Sequence, residues 1–527
     1  LFNKIFNKDT EEASKNNAKT VSTSLKANKH TIETLFTNCS DLTIREFKIA
    51  NNRNFSAMIV YINNLIQSDV IESSVIKKLI EEDYNNHPHL NIFEYTKSIF
   101  AVNDKNVYKS MDDVILSILK GSIALFLDGE SKAIIISIGK PPERDITEPT
   151  VETVIRGPRE GFTESLTTNV ALLRKKIRST DFKVEELTLG KNSNTTIAIT
   201  YLANVANPKI VEEIRRRVRK ITIDSIIGMN YIKEYIQDEA FSAFPTVFST
   251  ERPDVVAGKI FEGKIAIIAD GTPIVCTAPA IFFEFLETNE DFFINFIPAT
   301  IDRWIRYTSL LISILLPGLY VAITTFHQEL IQTPLLITFM QSHASVPYPT
   351  STEVLFLLIA YQIMIEAGIR MPRAVGQSIS IIGALIIGQS AVEAGLISTP
   401  VIIVVAITYI ASFAVPVNEM HNALTFPRFI FMILGSTLGL FGLTCGYLVL
   451  SLKLISIRSF GVPYAAPIAP TSKGNILDLF IRKPLWAKLK HSPKISDKNS
   501  TKRQPRGHLN LAIKDIRKAI DKIKKSH

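Results

Sequence analysis

The sequence predicts an α/β cytoplasmic domain of two lobes followed by an α-helical transmembrane domain of about four to five spans. Three observations predict it: a sharp division of charge along the chain, several uncharged apolar runs of bilayer length, and a hairpin signal that recurs 142 residues on. Tyr307 to Leu452 holds three basic and five acidic residues, net −2, against 38 and 41, net −3, in residues 1–306 and 18 and 4, net +14, in residues 453–527. The formal charge of +9 thus describes the tail, and the N-terminal region has no excess of positive charge for nucleic acid. The resulting organisation is a polar disordered arm (1–30), a first lobe (31–148), a second lobe (149–300), a transmembrane helical domain (301–460) and a basic tail (461–527).

The first thirty residues contain no apolar core of signal-peptide length, so the N-terminal region is expected to stay cytoplasmic. In each lobe an apolar strand, an Asp-Gly turn and a second strand follow one another. The first set is Gly121 to Asp128-Gly129 with Ala133–Ile138; the second is Gly263 to Asp270-Gly271 with Pro273–Cys276. Between them, Arg156, Gly157, Arg159 and Glu160 offer either a fixed anion fork or a turn whose side chains bridge lobes. The Gly and Lys-Ser/Thr spacing of a P-loop is missing. With Asp270 and Gly271, these residues are candidate inter-lobe or inter-subunit contacts. Val211, Ile214, Val218 and Ile221 mark the apolar face of a helix whose other face is charged and solvated.

No Ser/His/Asp set, HExxH or clustered His/Cys spacing occurs, so the chain is not expected to be an enzyme, and no cofactor, metal or catalytic residue is nominated. Cys39, Cys276 and Cys445 lie far apart and read as free buried thiols.

A bilayer core of about 30 Å takes roughly 20 helical residues. Tyr307–Phe326, Ala374–Val392, Ala394–Pro416 and Phe429–Leu452 are uncharged over about that length. Val354–Ile365 is short for a span, so four spans are favoured, with 353–368 dipping or lying flat, and five is the alternative. Leu330–Thr352, broken by prolines, reads as interfacial or re-entrant. Arg303 and Arg306 put the N-terminal region on the cytoplasmic side, and an even number of spans returns the tail there.

Two corners, Glu366 to Pro372 and Glu393 to Pro400, read as helix ends, with Gly368 and Gly395 suited to the left-handed conformation. Glu366, Arg370, Arg373 and Glu393 form a candidate membrane charge network: the glutamates sit in the headgroup layer or serve an ion pathway. Gln377, Ser380, Ala384 and Ile387, with Gln389 near the end of the same span, define a small and polar face. It lines a pore built from several copies, or it packs helices tightly without conduction. The glycines of Phe429–Leu452 read as packing only.

Arg303-Trp-Ile-Arg306, Leu315 to Tyr320, Thr325 to Leu330, Glu366 to Arg373, and Ile387 to Gly395 together resemble the spore germination receptor A-subunit family, over about residues 30–460. Arg156 to Phe162, Asp270 to Pro273 and Pro279 to Phe285 agree with it. The resemblance implies an integral protein of the inner membrane of the bacterial endospore, partnered by a transporter-like B subunit and a lipoprotein C subunit. It also implies a homo-oligomeric ring, a pentamer, that passes monovalent cations once nutrient is sensed. The rival reading is a non-conducting signalling scaffold that relays nutrient binding from the B subunit. The basic tail lies outside the resemblance and could contact anionic membrane lipid, or Leu509–Ile523 could dock as a short helix.

Overall fold

The computed structural model describes residues 20–49, 55–66, 71–81, 91–100, 106–137, 149, 152, 154, 156–370, 388–471 and 473–484. The chain forms two compact units. One is built from residues up to Ile236 with Ser249–Ala278; the other takes Gln237–Phe248 and the described residues from Pro279 onward.

The first unit is two lobes of one design. Lobe 1 contains α1 (Leu25–Leu35), β1 (Leu42–Lys48), β2 (Ser56–Ile62), β3 (Val107–Tyr108), α2 (Met111–Leu119), β4 (Ile123–Leu127) and β5 (Ala133–Ile136). Lobe 2 contains α3 (Leu166–Lys176), β6 (Phe182–Leu189), β7 (Thr195–Leu202), α4 (Pro208–Arg219), α5 (Met229–Ile236), β8 (Phe248–Thr250), α6 (Pro253–Phe261), β9 (Ile265–Ala269) and β10 (Val275–Ala278). The sheets have the same strand order, β1-β2-β4-β5-β3 and β6-β7-β9-β10-β8. Strands β4, β9 and β5, β10 start 142 residues apart, matching the hairpin signal, and α2 and α6 share that offset. The turn glycines agree: φ is 83° at Gly129 and 84° at Gly271, a region costly for any residue with a Cβ.

A polar device also repeats. The side chain of buried Asn28 accepts from Ser22 N (2.8 Å) and donates to Ser22 O (2.7 Å); Asn169 does the same with Thr163 N (2.8 Å) and O (2.6 Å). Each asparagine satisfies the backbone that leads into its own helix, which an apolar residue there would leave unpaired. Helix α1 starts within the segment read as a polar arm, and Val21 N donates to Lys109 O at 2.9 Å.

The second unit is dominated by helices: α7 (Phe296–Phe326), α8 (Thr333–His343), α9 (Thr350–Arg370), α10 (Thr399–Phe413) and α11 (Asn418–Ser456). The Asn295 side chain caps α7 by accepting from Ile297 N, and α8 and α10 begin with proline in the first turn, where no donor is lost. Among the described residues, Phe296–Phe326, Thr350–Gly368 and Asn418–Ser456 are long and apolar enough to cross a membrane. The stretch expected to dip or lie flat is thus part of a 21-residue helix, because Thr350–Glu353 and Glu366–Arg370 extend its short apolar centre at both ends. Gly368 lies inside that helix and does not end it, whereas Gly395 is left-handed with φ 65°.

Phe429–Leu452 is not a single span. At Gly439 the backbone has φ 59° and ψ −143°, and α11 folds back on itself. Gly442 sits against Leu434, and Gly446 against Phe431 and Leu434, pairs that a straight helix would hold about 12 Å or more apart. Residues 418–438 and 440–456 are therefore antiparallel arms. The glycines act as expected, in packing: a Cβ on Gly442 would meet Leu434 O at 2.5 Å.

Contacts give each helix a direction. Arg428 meets Ser313, Phe431 and Gly435 meet Gly318, and Leu440 N donates to His327 Nε2 at 3.4 Å, so residues 418–438 run parallel to α7. His421 stacks on Phe413 and Arg428 lies over the Tyr409 ring, so α10 runs against them. Ser398 meets Glu353, and Tyr409 meets Leu358 and Tyr361, so α9 and α10 run the same way. Arg370 and Ser398 consequently lie at opposite ends of the bundle.

The first turns of α7 and the last of α11 share one end of the bundle. A hairpin of β11 (Arg458–Ser459) and β12 (Val462–Pro463) follows α11. Ser459 Oγ donates to Thr246 O and accepts from Ala280 N, while Phe282 N donates to Tyr464 O at 2.9 Å. Helix α12 (Lys473–Phe480) docks on α7: Arg303 Nη1 donates to Asp478 O (2.9 Å), Trp304 Nε1 to Phe480 O (2.8 Å) and Tyr307 Oη to Leu479 O (3.0 Å).

Candidate functional site

The membrane helices bury charge at both ends. At the entry end Arg303 and Arg306 are closed in rather than presented to lipid headgroups. Arg303 pairs with Asp291 (3.3 Å) and Glu287 (3.2 Å), and Arg306 pairs with Asp291 and donates to Leu286 O (2.7 Å). Further in, Arg428 is 1% exposed. Its Nε donates to Ser313 O at 2.8 Å and its guanidinium lies 4.7 Å from the Tyr409 ring centre. Cation–π contact and one carbonyl replace the carboxylate that a buried guanidinium ordinarily has.

At the far end, Glu353 in the first turn of α9 has a fully buried side chain. Its Oε2 accepts from Ser398 N at 2.7 Å, placing a carboxylate at the positive end of α10. His343 Nδ1 lies 2.9 Å from Phe339 O, a pure acceptor, so Nδ1 carries the hydrogen. His343 Nε2 is 3.3 Å from Ser398 Oγ and 3.6 Å from Glu353 Oε1. Among the described residues, Glu353 Oε1 and the buried Tyr320 hydroxyl have no hydrogen-bond partner.

Sequence reasoning passed over Glu353, His343 and Arg428, because the partners that bury them come from distant helices. The nearest signal was a glutamate heading a short apolar run. Of the expected charge network, Glu366 and Arg370 pair at 2.6 Å on an exposed face, and Glu393 accepts from Gln389 Nε2 at 2.9 Å, also exposed. Among the described residues these two pairs are separate. Gln377, Ser380, Ala384, Ile387 and Arg373 lie outside the described residues.

Arg156, Gly157 and Arg159 are exposed, and Glu160 pairs with Lys176 at 2.7 Å. Asp270 Oδ1 accepts from Leu166 N (2.9 Å), and Gly271 N donates to Glu164 O (2.7 Å). A buried ion pair joins the lobes. Arg174 forms a bidentate pair with Asp41 at 2.8 and 2.9 Å, both side chains at most 1% exposed. Around it, Ser40 N donates to Val184 O (2.9 Å), Val184 N to Asn38 O (3.2 Å) and Lys183 Nζ to Leu35 O (3.1 Å). All three cysteines are free thiols, but only Cys276 is fully buried.

The charged face of α4 is paired as well as solvated. Glu185 accepts from Arg215 Nη2 (2.7 Å) and Tyr201 Oη (2.6 Å). Burial alone would raise the Glu185 carboxyl, but the hydrogen bonds from Arg215 and Tyr201 outweigh it and hold it below its ordinary value. Burial, reinforced by Glu185, pushes Tyr201 up to about 12 from 10.0. A lowered carboxylate stabilises the fold above its unfolded value of 4.5 and loses that contribution as pH falls through the lower folded value. A raised phenol loses its contribution between 10.0 and about 12. Thermal unfolding of the full chain across pH should therefore lose stability below 4.5 and above 10.0, and Glu185→Gln should flatten the acid limb.

Among the described residues, no three His, Cys, Asp or Glu side chains gather as a metal site requires. A family model described as Bacillus/Clostridium GerA spore germination protein matches residues 30–495. This chain belongs to the GerA family. Spore germination protein KA of Bacillus subtilis (strain 168) is 40% identical over 485 residues, covering 90% of this chain and 89% of that protein. Spore germination protein GerLA of Bacillus cereus is 32% identical over 465 residues, covering 88% and 94%. The crystal structure of the N-terminal domain of the A subunit of the Bacillus megaterium spore germinant receptor GerK3 is 32% identical, covering 50% of this chain and 98% of that one, with a TM-score of 0.40. The GerA chain described here is thus a germination protein of the A-subunit kind with membrane-type helices.

Proposed function

We propose that this GerA chain is the A subunit of a nutrient germinant receptor and forms a homo-oligomeric, pentameric ring that passes monovalent cations when nutrient is sensed. It works in the inner membrane of the endospore with a transporter-like B subunit and a lipoprotein C subunit. The lobes and the basic tail face the spore core, a sidedness supported by the shared end of α7, the last arm of α11 and α12. The observation that carries the reading is the placement of Arg370 and Ser398 at opposite ends of the bundle. On this reading the segment with Gln377, Ser380, Ala384 and Ile387 is the pore-lining span. Small and polar residues at helical spacing suit a conducting wall built from several copies, with Ile387 as an apolar constriction.

The test is monovalent cation flux in liposomes holding the purified chain, with and without its partners and candidate nutrients. Flux through the chain alone, raised on the order of tenfold by Ile387→Ser if a dewetting constriction is opened, is the expected outcome. Flux that appears only with partners and ignores substitutions at Ala384 and Ile387 would make the chain the relay.

A further inference from the structure

The contact between the lobes uses a surface that the chain possesses twice. Lobe 1 reaches lobe 2 with the loop ahead of β1: Ser40 N donates to Val184 O, Asn38 O accepts from Val184 N, and Asp41 takes the Arg174 guanidinium. The receiving surface is the edge strand β6 beside α3. Lobe 1 has the same surface. Its β1 is also an edge strand, and Leu42 lies opposite Ile62 as Phe182 lies opposite Leu202. Asn63 N donates to Asp41 O as Ala203 N does to Asp181 O, both at 2.8 Å. The two ladders are therefore in phase, and Ile44 turns its N–H and C=O outward as Val184 does. Phe182 and Val184 are fully buried, whereas Leu42 and Ile44 are only half-buried. Among the described residues β1 pairs with β2 alone. An edge with open backbone groups and half-covered apolar side chains is a template for another chain.

Charge identifies the chain. Counting from the matched Asn28 and Asn169, exposed Glu33 stands on α1 where Arg174 stands on α3. The loop ahead of β6, one residue shorter than its counterpart in lobe 1, carries exposed Arg178. Its Asp181 stays with its own lobe, accepting from Asn204 Nδ2 at 2.8 Å. Within one chain an acidic loop meets a basic helix. The loop of lobe 1 and the edge of β6 are spent on that contact, which leaves one loop and one edge open, the loop basic and the helix beside the edge acidic. We propose that the loop of lobe 2, residues 177–181, docks on β1 and α1 of lobe 1 in a second copy of this chain, with Arg178 opposite Glu33. The complementary charges fix the partner and the register. The contact is head-to-tail, the kind that closes into a ring when its rotation permits. It rests on the ring reading above and names the surface that builds the ring.

Cross-linking between copies reads the contact without flux. The full chain in detergent, its native cysteines replaced, carries Glu33→Cys with Arg178→Cys and is treated with a short bismaleimide. The expected result is a ladder of dimer, trimer and longer bands on a denaturing gel, while either substitution alone gives no ladder. A second pair, Ile44→Cys with Thr180→Cys, reads the same contact from the strand. Adding Glu33→Arg to that pair should cut the yield on the order of fivefold by setting like charges together, and adding Arg178→Glu as well should restore it. Light scattering on the same samples separates this contact from the ring itself. A multimer that gives no ladder from either pair, or bands that stop at the dimer, overturns the contact and leaves the ring. A monomer overturns both.

Discussion

Gly318→Ala, or Gly435→Ala, unfolds the membrane bundle at a lower temperature and yields little assembled chain. A Cβ on Gly318 would stand 2.4 Å from Phe431 O, and one on Gly435 would stand 2.3 Å from Gly318 O. Backbone meets backbone there, so no flexible side chain can give way and α7 must move off the first arm of α11. Overpacking of this kind costs about 1 to 3 kcal/mol and sometimes more, and it also loosens the seat of Arg428 on Ser313 O. Gly368→Ala is the control. It has open space around it inside α9, and alanine favours helix by about 1 kcal/mol, so its midpoint in detergent should be unchanged or higher. Equal losses at Gly318 and Gly368 would mean that the close crossing does not matter.

Arg174→Ala has a comparable effect in the lobes. It leaves the Asp41 carboxylate buried and without its two guanidinium hydrogen bonds, a state that costs about 3 to 5 kcal/mol. The same change removes the guanidinium stacked 4.8 Å from the Phe182 ring centre. Arg174→Met with Asp41→Asn replaces the charges together and should recover much of the loss, because the penalty lies in breaking the pair. Limited proteolysis of the full chain reads the outcome: the single variant should be cut between the lobes well before the double one. Equal cutting would place the adhesion of the lobes in the backbone bonds around Val184.

Much of the fold was legible because its signals are local. The Asp-Gly hairpins 142 residues apart combine a period-two apolar pattern with a turn chemistry that few other structures need, and they located the central strand pair of both sheets. The matching roles of Asn28 and Asn169 were not legible, since an asparagine that satisfies its own helix entry looks like any polar residue. The hairpin at Gly439 was hidden for another reason. An uncharged run of 24 residues from Phe429 to Leu452 has the length of a span, and the turn uses a single glycine, with the amide of Leu440 met by His327 just past the end of α7. The candidate site was read in part. Glu366 found Arg370 at one helical turn, but Glu353 met its surroundings only once α7, α8, α9 and α10 had come together.

The most direct measurement is the sidedness of Arg370 and Glu393. Single cysteines at these exposed positions, in a chain whose three native cysteines are replaced, are labelled with a membrane-impermeant maleimide in sealed, oriented vesicles. A cysteine at exposed Arg458, just past α11, marks the entry side. The account predicts that position 370 labels with position 458 and that position 393 labels from the opposite side. Labelling of 370 and 393 from the same side would contradict it, and with it the proposal that residues 374–392 line the pore.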